Sequence, residues 1–496
     1  MQHNIRSGLS CLHEQDISYI VLYGGYAAPN RLEETVRWHG SVVLHIMKRG
    51  YIMLEQNNKK KPKKYAGILA HPTSFPSPYG IGDLGPGAYQ FIDFLAASGL
   101  NLWQVLPLGH TGFGDSPYQP FSAFAGQPLI IDIDYLKKKK LLIDEDFSAM
   151  PDWDPEKIDY GTLIEFKTGL LKKAYERFID ADYTDDMSRD EELMAKFDAF
   201  VKNTTWLADY SLFMAGKDAH EGMPWYMWDD SLKKPTARQK TTWKKKLANG
   251  IGYYNFLQFL FAEQWQALKT YANDLGISIV GDTPIFLAWD SADVWSNQEL
   301  FLLDSKGYPI EVAGVPPDYF SATGQLWGNP LYNWKKHTET GYAWWIERIK
   351  YQLTVTDFLR IDHFRGFDRY WAVPYGEETA INGEWKPAPG LNFFTQLEAN
   401  LGYHLPIIAE DLGEIDDSVI ELRDKFGLPG MKILQFAFEN PNENDFLPQT
   451  IHLIVYAIQE HTTTTPPLDG IHRLMRLQRI SSEDTTALMR VISAGL

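Results

Sequence analysis

The chain has 496 residues, enough for a large buried core, and its 44% hydrophobic and 22% charged residues are typical of a globular protein. Acidic residues outnumber basic ones by 64 to 47, giving a formal charge of −17. Such a surface repels phosphate backbones, so nucleic acid is not an expected partner. The single cysteine, Cys11, excludes an intrachain disulfide framework and predicts a reducing, cytoplasmic location. No apolar run approaches the roughly 18 residues of a membrane-spanning helix, so no membrane partner is expected.

Residues 1–64 differ from the rest of the chain. They have no sustained helical period and end in a lysine-rich run, Asn57–Lys64, which is most simply a solvated linker. The apolar stretch 17–28 could serve in a secretion signal, but Glu14 and Asp16 precede it where positive charge is expected. We therefore predict an N-terminal extension of doubtful structure over residues 1–64.

From residue 65 onward, short apolar runs alternate with amphipathic stretches, which is typical of parallel βα units. Strands are predicted at Leu100–Leu108, Ile277–Phe286, Asp357–Asp362, Pro406–Glu410, Lys432–Phe438 and Leu453–Tyr456. Helices are predicted at Ala88–Ala97, Asn255–Leu275, Tyr342–Gln352 and Asp416–Lys425. Residues 140–250 are richer in charge and aromatic side chains at helical spacing, and we interpret them as an inserted helical subdomain.

In three of the predicted strands an acidic residue directly follows the first run of the strand: Asp282 after IVG, Asp362 after FLRI and Glu410 after IIA. In a closed parallel barrel the carboxyl ends of all strands converge on one face, where active sites are built. In an open doubly wound sheet they would instead flank a crevice. Carboxylates on several strand ends favour the barrel.

The glycine-rich string GIGDLG, Gly80–Gly85, formally matches a dinucleotide-binding fingerprint. That mechanism requires a preceding strand, and the segment before it contains Pro76 and Pro78, which a central strand does not tolerate. We therefore expect a glycine-rich surface loop. The sequence also contains no HExxH motif and no pair of cysteines, so no metal site is predicted.

The stretch FLRIDHFRGF places Asp362 at the end of an apolar strand, next to His363. Arg360 lies two residues earlier, so on a strand both side chains point to the same face. A cation at that position favours the ionised carboxylate that a nucleophile needs. The alternative is a structural salt bridge that caps the strand.

The stretch IIAEDLG ends a second strand in two adjacent carboxylates. Glu410 follows three apolar residues, an environment that raises the pKa of a carboxyl group and suits a general acid. Asp411 should face the opposite side and cap the following turn. A structural role for this motif is equally open, but two carboxyl groups of unlike environment on neighbouring strand ends are what cleavage of a glycosidic bond uses.

Residues 65–456 resemble the 4-α-glucanotransferases (amylomaltases, or disproportionating enzymes) of glycoside hydrolase family 77. The resemblance rests on six motifs in the family's order: Ala66–Gly85, Gly114–Leu129, Gly281–Trp295, Gly314–Trp334, Phe358–Phe367 and Ala409–Gly413. It implies a (β/α)8 barrel with inserted subdomains that transfers α-1,4-glucan segments between malto-oligosaccharides. It implies no metal and no cofactor.

The resemblance also implies site residues. Asp362 corresponds to the nucleophile and Glu410 to the acid/base. The residues that correspond to substrate-binding positions are Tyr118, Asp282, Tyr319, Phe320, Trp327, Arg360 and His363. Among them, Tyr319 and Phe320 fall in the family's aromatic loop over the acceptor side.

The C-terminal part departs from the family. A third carboxylate is expected there, in a Thr-Gly-Thr-His-Asp-Asn-Asp-Thr-Thr context after a tyrosine, but Tyr456 is followed by AIQEHTTTTPPLDG. With suitable third bases, a two-base shift of the reading frame regenerates the family's motif. We therefore predict that residues 457–496 are a frame-shifted tail. A barrel without its eighth strand would have two open sheet edges and an incomplete C-terminus.

The predicted function is 4-α-glucanotransfer by a retaining double displacement. Two alternatives remain open at this point. The same two carboxylates could serve a glucan hydrolase, and the departure at the C-terminus could leave a catalytically impaired, glucan-binding remnant.

Overall fold

The computed structural model describes residues 19–23, 65–155, 157–180, 191–318, 321–413, 415–433 and 454–459. The strands in these ranges are β1 Tyr19–Tyr23, β2 Tyr65–Leu69, β3 Leu102–Gln104, β4 Ser278–Pro284, β5 Glu311–Val315, β6 Gln325–Pro330, β7 Phe358–Asp362, β8 Arg369–Pro374, β9 Glu384–Pro387, β10 Ile407–Ala409, β11 Gly430–Ile433 and β12 Ile454–Gln459. The α-helices are α1 Pro86–Ala97, α2 Ile133–Lys138, α3 Tyr160–Ile179, α4 Glu191–Asn203, α5 Leu207–Ala219, α6 Asp230–Lys233, α7 Ala237–Lys246, α8 Ala248–Asp274, α9 Ala292–Ser296, α10 Trp334–Glu339, α11 Ala343–Val355, α12 Gly390–Leu401 and α13 Asp417–Lys425.

Eight strands form the main sheet, in the order β10-β7-β4-β3-β2-β1-β12-β11. Within this sheet, β2, β3, β4, β7 and β10 pair in parallel with their neighbours in that order, and β11 pairs in parallel with β12. The two ends of this order meet, because the backbone N–H of Ala409 donates a 2.9 Å hydrogen bond to the carbonyl of Pro429, next to β11. The sheet thus closes on itself, and the predicted α/β class is confirmed.

β1 differs from its neighbours in direction. It is antiparallel to both β12 and β2, with Tyr19 opposite Gln459 on one side and Leu69 on the other. The expectation of two open edges is therefore wrong, because a strand from the N-terminal extension pairs with both. β12 continues past Tyr456 to Gln459. The reading-frame interpretation of residues 457–496 stays a prediction that sequencing the DNA around codon 457 would test, and residues 460–496 lie outside the described residues.

Other differences from the predicted elements have local reasons. β2 was missed because Gly67 weakens its strand pattern, yet a Cβ at Gly67 would lie 1.9 Å from the carbonyl oxygen of Leu102, so close strand packing requires the glycine. A second, antiparallel sheet of order β6-β5-β8-β9 was also missed. β11 begins at Gly430 instead of Lys432, and residues 434–438 of that predicted strand lie outside the described residues.

Helix α1 shows how sequence produces the outer layer. Pro86 occupies the first turn, where its missing N–H costs nothing. The buried residues Ala88, Phe91 and Leu95 recur at helical spacing and form the inner face. The ring of Phe91 lies edge-on to that of Trp103 in β3, with centroids 5.6 Å apart, and this contact packs the helix against the barrel.

The loop that precedes α1 corrects one prediction. GIGDLG is not a surface loop: Ile81 and Asp83 are each only 4% exposed. Gly82 donates to the carbonyl of Thr73 at 2.9 Å, and a Cβ at Gly82 would lie 2.1 Å from the carbonyl oxygen of Pro72. The glycine spacing therefore serves close backbone packing.

Asp83 belongs to a buried ionic cluster beneath this loop, together with Asp132 and Lys167 of α3, which we call the Lys167 cluster. The ammonium of Lys167 donates to the carbonyls of Leu129 and Ile131 at 2.7 and 3.3 Å. Burial lowers the pKa of Lys167 to about 8, against the opposing effect of the two aspartates. Each aspartate accepts at least one backbone N–H.

Helices α3 to α7 lie between residues 160 and 246, in the region predicted to be an inserted helical subdomain. The subdomain boundaries themselves stay a prediction. Among the described helices, none combines the length and apolar character needed to cross a membrane.

Candidate active site

The three acidic residues at strand ends come together at one edge of the barrel. Parallel pairing places Asp282 of β4 opposite Arg360 of β7, and Ile361 of β7 opposite Ala409 of β10. Glu410 follows Ala409 directly, so it lies beside Asp362. Because neighbouring strands are about 4.8 Å apart, side chains at these positions lie within reach of one another.

Arg360 connects the carboxylates. Its Nη1 lies 2.8 and 2.9 Å from the two oxygens of Asp282, and its Nη2 lies 2.8 Å from Oδ1 of Asp362. The contact to Asp362 is the one that the two-residue spacing predicts. Burial alone would lower the pKa of Arg360, but Asp282, Asp362 and Glu410 raise it well above its usual value, so the guanidinium is a permanent cation.

The two aspartates bound to Arg360 differ in exposure. The side chain of Asp282 is 1% exposed, whereas that of Asp362 is 31% exposed. Asp282 also accepts a 2.8 Å hydrogen bond from the hydroxyl of Tyr118, and burial raises its pKa while Arg360 opposes this effect. Asp362 is therefore the carboxylate that an incoming molecule can reach.

Glu410 has the opposite character. Its side chain is buried, and its two oxygens accept hydrogen bonds from the backbone N–H groups of His363 and Leu412, both at 2.8 Å. The pKa of Glu410 is raised to about 7, chiefly by burial and also by Asp362, while Arg360 and the two N–H groups oppose the shift. Near neutral pH this carboxyl group can both donate and accept a proton.

Asp411, by contrast, contacts elements on the other side of β10. It forms an ion pair with Arg423 of α13 and accepts a 2.7 Å hydrogen bond from the N–H of Met431 in β11. Its side chain is 2% exposed. Glu410 therefore faces the candidate site, whereas Asp411 binds neighbouring structural elements, as the alternation of side chains along a strand predicts.

His363 and Trp327 line the same site. His363 has a positive φ of 55°, uncommon for a residue other than glycine, and this turn aims its N–H at Glu410. Its ring lies edge-on to Trp327 at 4.8 Å. Burial lowers the pKa of His363 to about 4, so the imidazole is neutral, and its Nε2 has no hydrogen-bond partner within the described part of the chain.

One neighbour of the site was not singled out from the sequence. The ring of Phe286 lies 6.3 Å from Trp327, 6.4 Å from His363 and 6.5 Å from Tyr370. Its place in the motif that begins at Gly281 is the signal that could have revealed it. Tyr319 and Phe320 lie outside the described residues.

The described residues include no group of three or more His, Cys, Asp or Glu side chains placed to hold a metal ion. What they do include is an exposed carboxylate bound to arginine beside a buried carboxyl group whose pKa is near 7. On a parallel barrel, these groups define the class of enzymes that act on glycosidic bonds.

Comparisons with known proteins give the family. The sequence profile described as 4-alpha-glucanotransferase matches residues 70–465, and the chain belongs to this family. The Synechocystis 4-alpha-glucanotransferase is 50% identical over 387 residues, which are 78% of this chain and 75% of that protein. The Thermus thermophilus 4-alpha-glucanotransferase is 47% identical over 404 residues, 80% of this chain and 78% of that one.

The structure agrees. The Streptococcus agalactiae amylomaltase, solved in complex with acarbose, superimposes with a TM-score of 0.73 at 41% identity, covering 78% of this chain and 76% of that chain. The resemblance inferred from the sequence motifs is confirmed.

Proposed function

We propose that this protein is a 4-α-glucanotransferase that moves α-1,4-linked glucan segments to glucose or to another glucan by a retaining double displacement. The observation that carries the mechanism is the contrast between two neighbouring carboxyl groups. Asp362 is partly exposed and bound to Arg360, whereas Glu410 is buried and has a pKa of about 7. The family membership supports transfer of glucan as the overall reaction.

In the first step, an oxygen of Asp362 attacks the anomeric carbon of the donor glucan. Glu410 gives its proton to the glycosidic oxygen, so the bond to the leaving chain breaks and that chain departs with a new hydroxyl group. The donor sugar is then an ester of Asp362, and Glu410 is a carboxylate.

In the second step, the Glu410 carboxylate removes a proton from the acceptor hydroxyl. The acceptor oxygen attacks the anomeric carbon, the ester bond to Asp362 breaks, and both carboxyl groups return to their starting states. Two inversions at one carbon give net retention.

The other residues bind and position the sugar. Asp282 accepts hydrogen bonds from Arg360 and Tyr118 and so holds these two side chains in place beside the reacting sugar. The half-buried ring of Trp327 offers a face on which a sugar can stack, and the ring of His363 packs edge-on against it. Arg360 holds Asp362 in the direction of attack.

Transfer also requires that water be kept from the ester while an acceptor is held. We assign this part to the aromatic loop that contains Tyr319 and Phe320, on the basis of the family resemblance. The scheme uses malto-oligosaccharides as substrates and requires no cofactor. The comparisons support neither alternative, the glucan hydrolase nor the impaired remnant.

We also propose a cytoplasmic location, which rests on the use of a single cysteine, Cys11, in 496 residues. The potato relative, by contrast, is named as chloroplastic or amyloplastic.

Product analysis tests the function. The 496-residue chain incubated with maltotriose should yield glucose together with a ladder of oligosaccharides longer than the substrate. Asp362→Asn should abolish the ladder, whereas Asp417→Asn, the same change at an exposed position of α13, should preserve it. Shortening of maltotriose without longer products would indicate hydrolysis, and sugar binding without any product would indicate the remnant.

A further inference from the structure

A second group of aromatic side chains lies on the surface, apart from the residues assigned to the reaction. We call it the aromatic platform, and it consists of Tyr226, Trp289, Tyr308 and Tyr375. The rings of Tyr226 and Trp289 stack with centroids 3.6 Å apart and planes 10° apart. Tyr308 and Tyr375 meet Trp289 edge-on at 5.3 and 5.6 Å, and they lie 6.1 Å from each other.

The platform is accessible to solvent. Tyr375 is 47% exposed, and the other three rings are half-buried. Two exposed apolar residues lie close to platform residues in the chain: Met227 directly follows Tyr226, and Ile310 lies two residues after Tyr308. The N–H of Tyr375 donates a hydrogen bond to the carbonyl of Ile310. A contiguous exposed group of large apolar side chains typically marks a binding surface.

Hydrogen bonds hold the platform in place. The indole N–H of Trp289 donates to the carbonyl of Gly307 at 3.0 Å, and Lys233 donates to the carbonyl of Tyr226 at 2.7 Å. The nearby carboxylate of Asp290 is ion-paired with Lys217. Lys233 and Asp290 are therefore already engaged with the protein.

The phenol groups show a different pattern. Among the described residues, the hydroxyls of Tyr226, Tyr308 and Tyr375 have no hydrogen-bond partner. The platform thus combines aromatic faces with three free hydroxyl groups. Burial and the neighbouring Asp290, Tyr375 and Tyr308 raise the pKa of Tyr226 to about 12, so its hydroxyl keeps its proton near neutral pH and can donate.

The platform is connected to the candidate active site. Trp289 lies on the segment that follows β4, the strand of Asp282, and Phe286 on the same segment contacts Trp327 and His363. Tyr375 follows β8 of the second, antiparallel sheet. Segments that leave the carboxyl ends of barrel strands lie on the face where the active site is built, so Trp289, which follows β4, places the platform on that face.

We propose that the aromatic platform is a second binding site for α-1,4-glucan, which holds a distant part of a long chain whose reacting end occupies the active site. This inference rests on the proposed function. Glucose rings present apolar C–H faces to aromatic rings and hydroxyl groups to phenols, and the polymer is uncharged, so its binding requires no free charge beside the rings.

Binding measurements test the platform without relying on turnover. Trp289→Ala and Tyr375→Ala are made in the 496-residue chain that carries Asp362→Asn, and the Kd values for amylose and for maltotriose are measured by calorimetry. Each platform variant should weaken amylose binding roughly fivefold to tenfold and leave maltotriose binding unchanged. Tyr403→Ala, the same change at a residue 80% exposed elsewhere on the surface, should change neither value.

Amylose affinities within twofold of the parent in both variants would overturn the proposal, and the exposed Tyr375 keeps the test valid if Trp289→Ala does not fold. A changed oligomeric state with unchanged amylose affinity would also overturn it, because the platform would then be an interface between copies. A separate transfer assay on the chain with Asp362 intact tests the proposed function. Transfer in that chain together with unchanged affinity refutes the platform alone.

Discussion

Two clusters of charged side chains in this protein are both buried, and they differ in how completely their groups are satisfied. In the Lys167 cluster the ammonium donates to two carbonyls, and Asp83 and Asp132 each accept backbone N–H groups. Both aspartates are less than a tenth exposed, and so is the lysine. Each charged group in this cluster is held by hydrogen bonds from the scaffold.

The second cluster, which we call the strand-end cluster, consists of Asp282, Arg360, Asp362 and Glu410, and it is arranged differently. Arg360 engages two aspartates, but the side chain of Asp362 remains 31% exposed and Nε2 of His363 has no partner within the described residues. The pKa of Glu410 lies near neutrality because burial is only partly offset by its partners. The comparison teaches that burial of charge alone does not mark a catalytic site; the strand-end cluster is distinguished by an accessible carboxylate beside a carboxyl group whose pKa is near 7.

The largest expected effect is that of Asp362→Asn. Loss of the nucleophile should reduce kcat for transfer by roughly 10⁴-fold or more, because no ester can form. Urea unfolding should show little change in stability, since Asp362 is the most exposed of the four charged groups. Retention of more than a tenth of the activity would remove Asp362 from its assigned role.

A smaller effect, with a distinct pH signature, is expected for Glu410→Gln. The acid must be protonated for the first step, so transfer from natural donors should decline as pH rises through about 7, the pKa of Glu410. The variant should lose about 10²–10⁴-fold on natural donors and lose this decline with pH. Activated donors such as glycosyl fluorides, whose leaving group needs no proton, should retain much more activity in the first step. Equal loss on both donor types would contradict the assignment.

The smallest effect on catalysis, and the largest on stability, is expected for Lys167→Met. Removing the ammonium group leaves the two buried aspartates without a neighbouring cation and two buried carbonyls without a hydrogen-bond donor. This loss should lower the free energy of unfolding by about 3 kcal/mol. The kcat of the folded fraction should stay within twofold. Lys172→Met, at an exposed position of the same helix, should change the free energy of unfolding by less than about 0.5 kcal/mol. Equal destabilisation by both changes would remove the distinction between the clusters.

The sequence predicted the parts of the fold that rest on local patterns. In β4, β7 and β10 a mainly apolar run leads directly to a carboxylate, and helix α1 follows the spacing of its buried face. β2 could not be recognised because Gly67 is required by close packing against the neighbouring strand β3, which the local sequence does not reveal. The burial of the GIGDLG loop could not be predicted either, because glycine and polar residues are typical of surface loops and the sequence does not show which segments pack over them.

The sequence predicted which residues form the candidate site, but only some of the contacts between them. The shared face of Arg360 and Asp362 follows from their spacing on one strand. The bond from Arg360 to Asp282, and the two N–H groups that hold Glu410, depend on strand register and on a left-handed turn at His363. The aromatic platform joins segments far apart in the chain, so no local pattern indicates it.

The contact of Arg360 with Asp362, within the electrostatic influence of Glu410, has a consequence for charge conservation during the proposed cycle. Before the first step Asp362 is negative and Glu410 neutral; after it, Asp362 is an ester and Glu410 is negative. The sum of charge around the guanidinium is therefore the same in both states, and only the location of the negative charge changes beside a fixed cation. A site of this kind exchanges no net charge with solvent as the ester forms, so reorganisation of surrounding water and ions contributes little to the barrier.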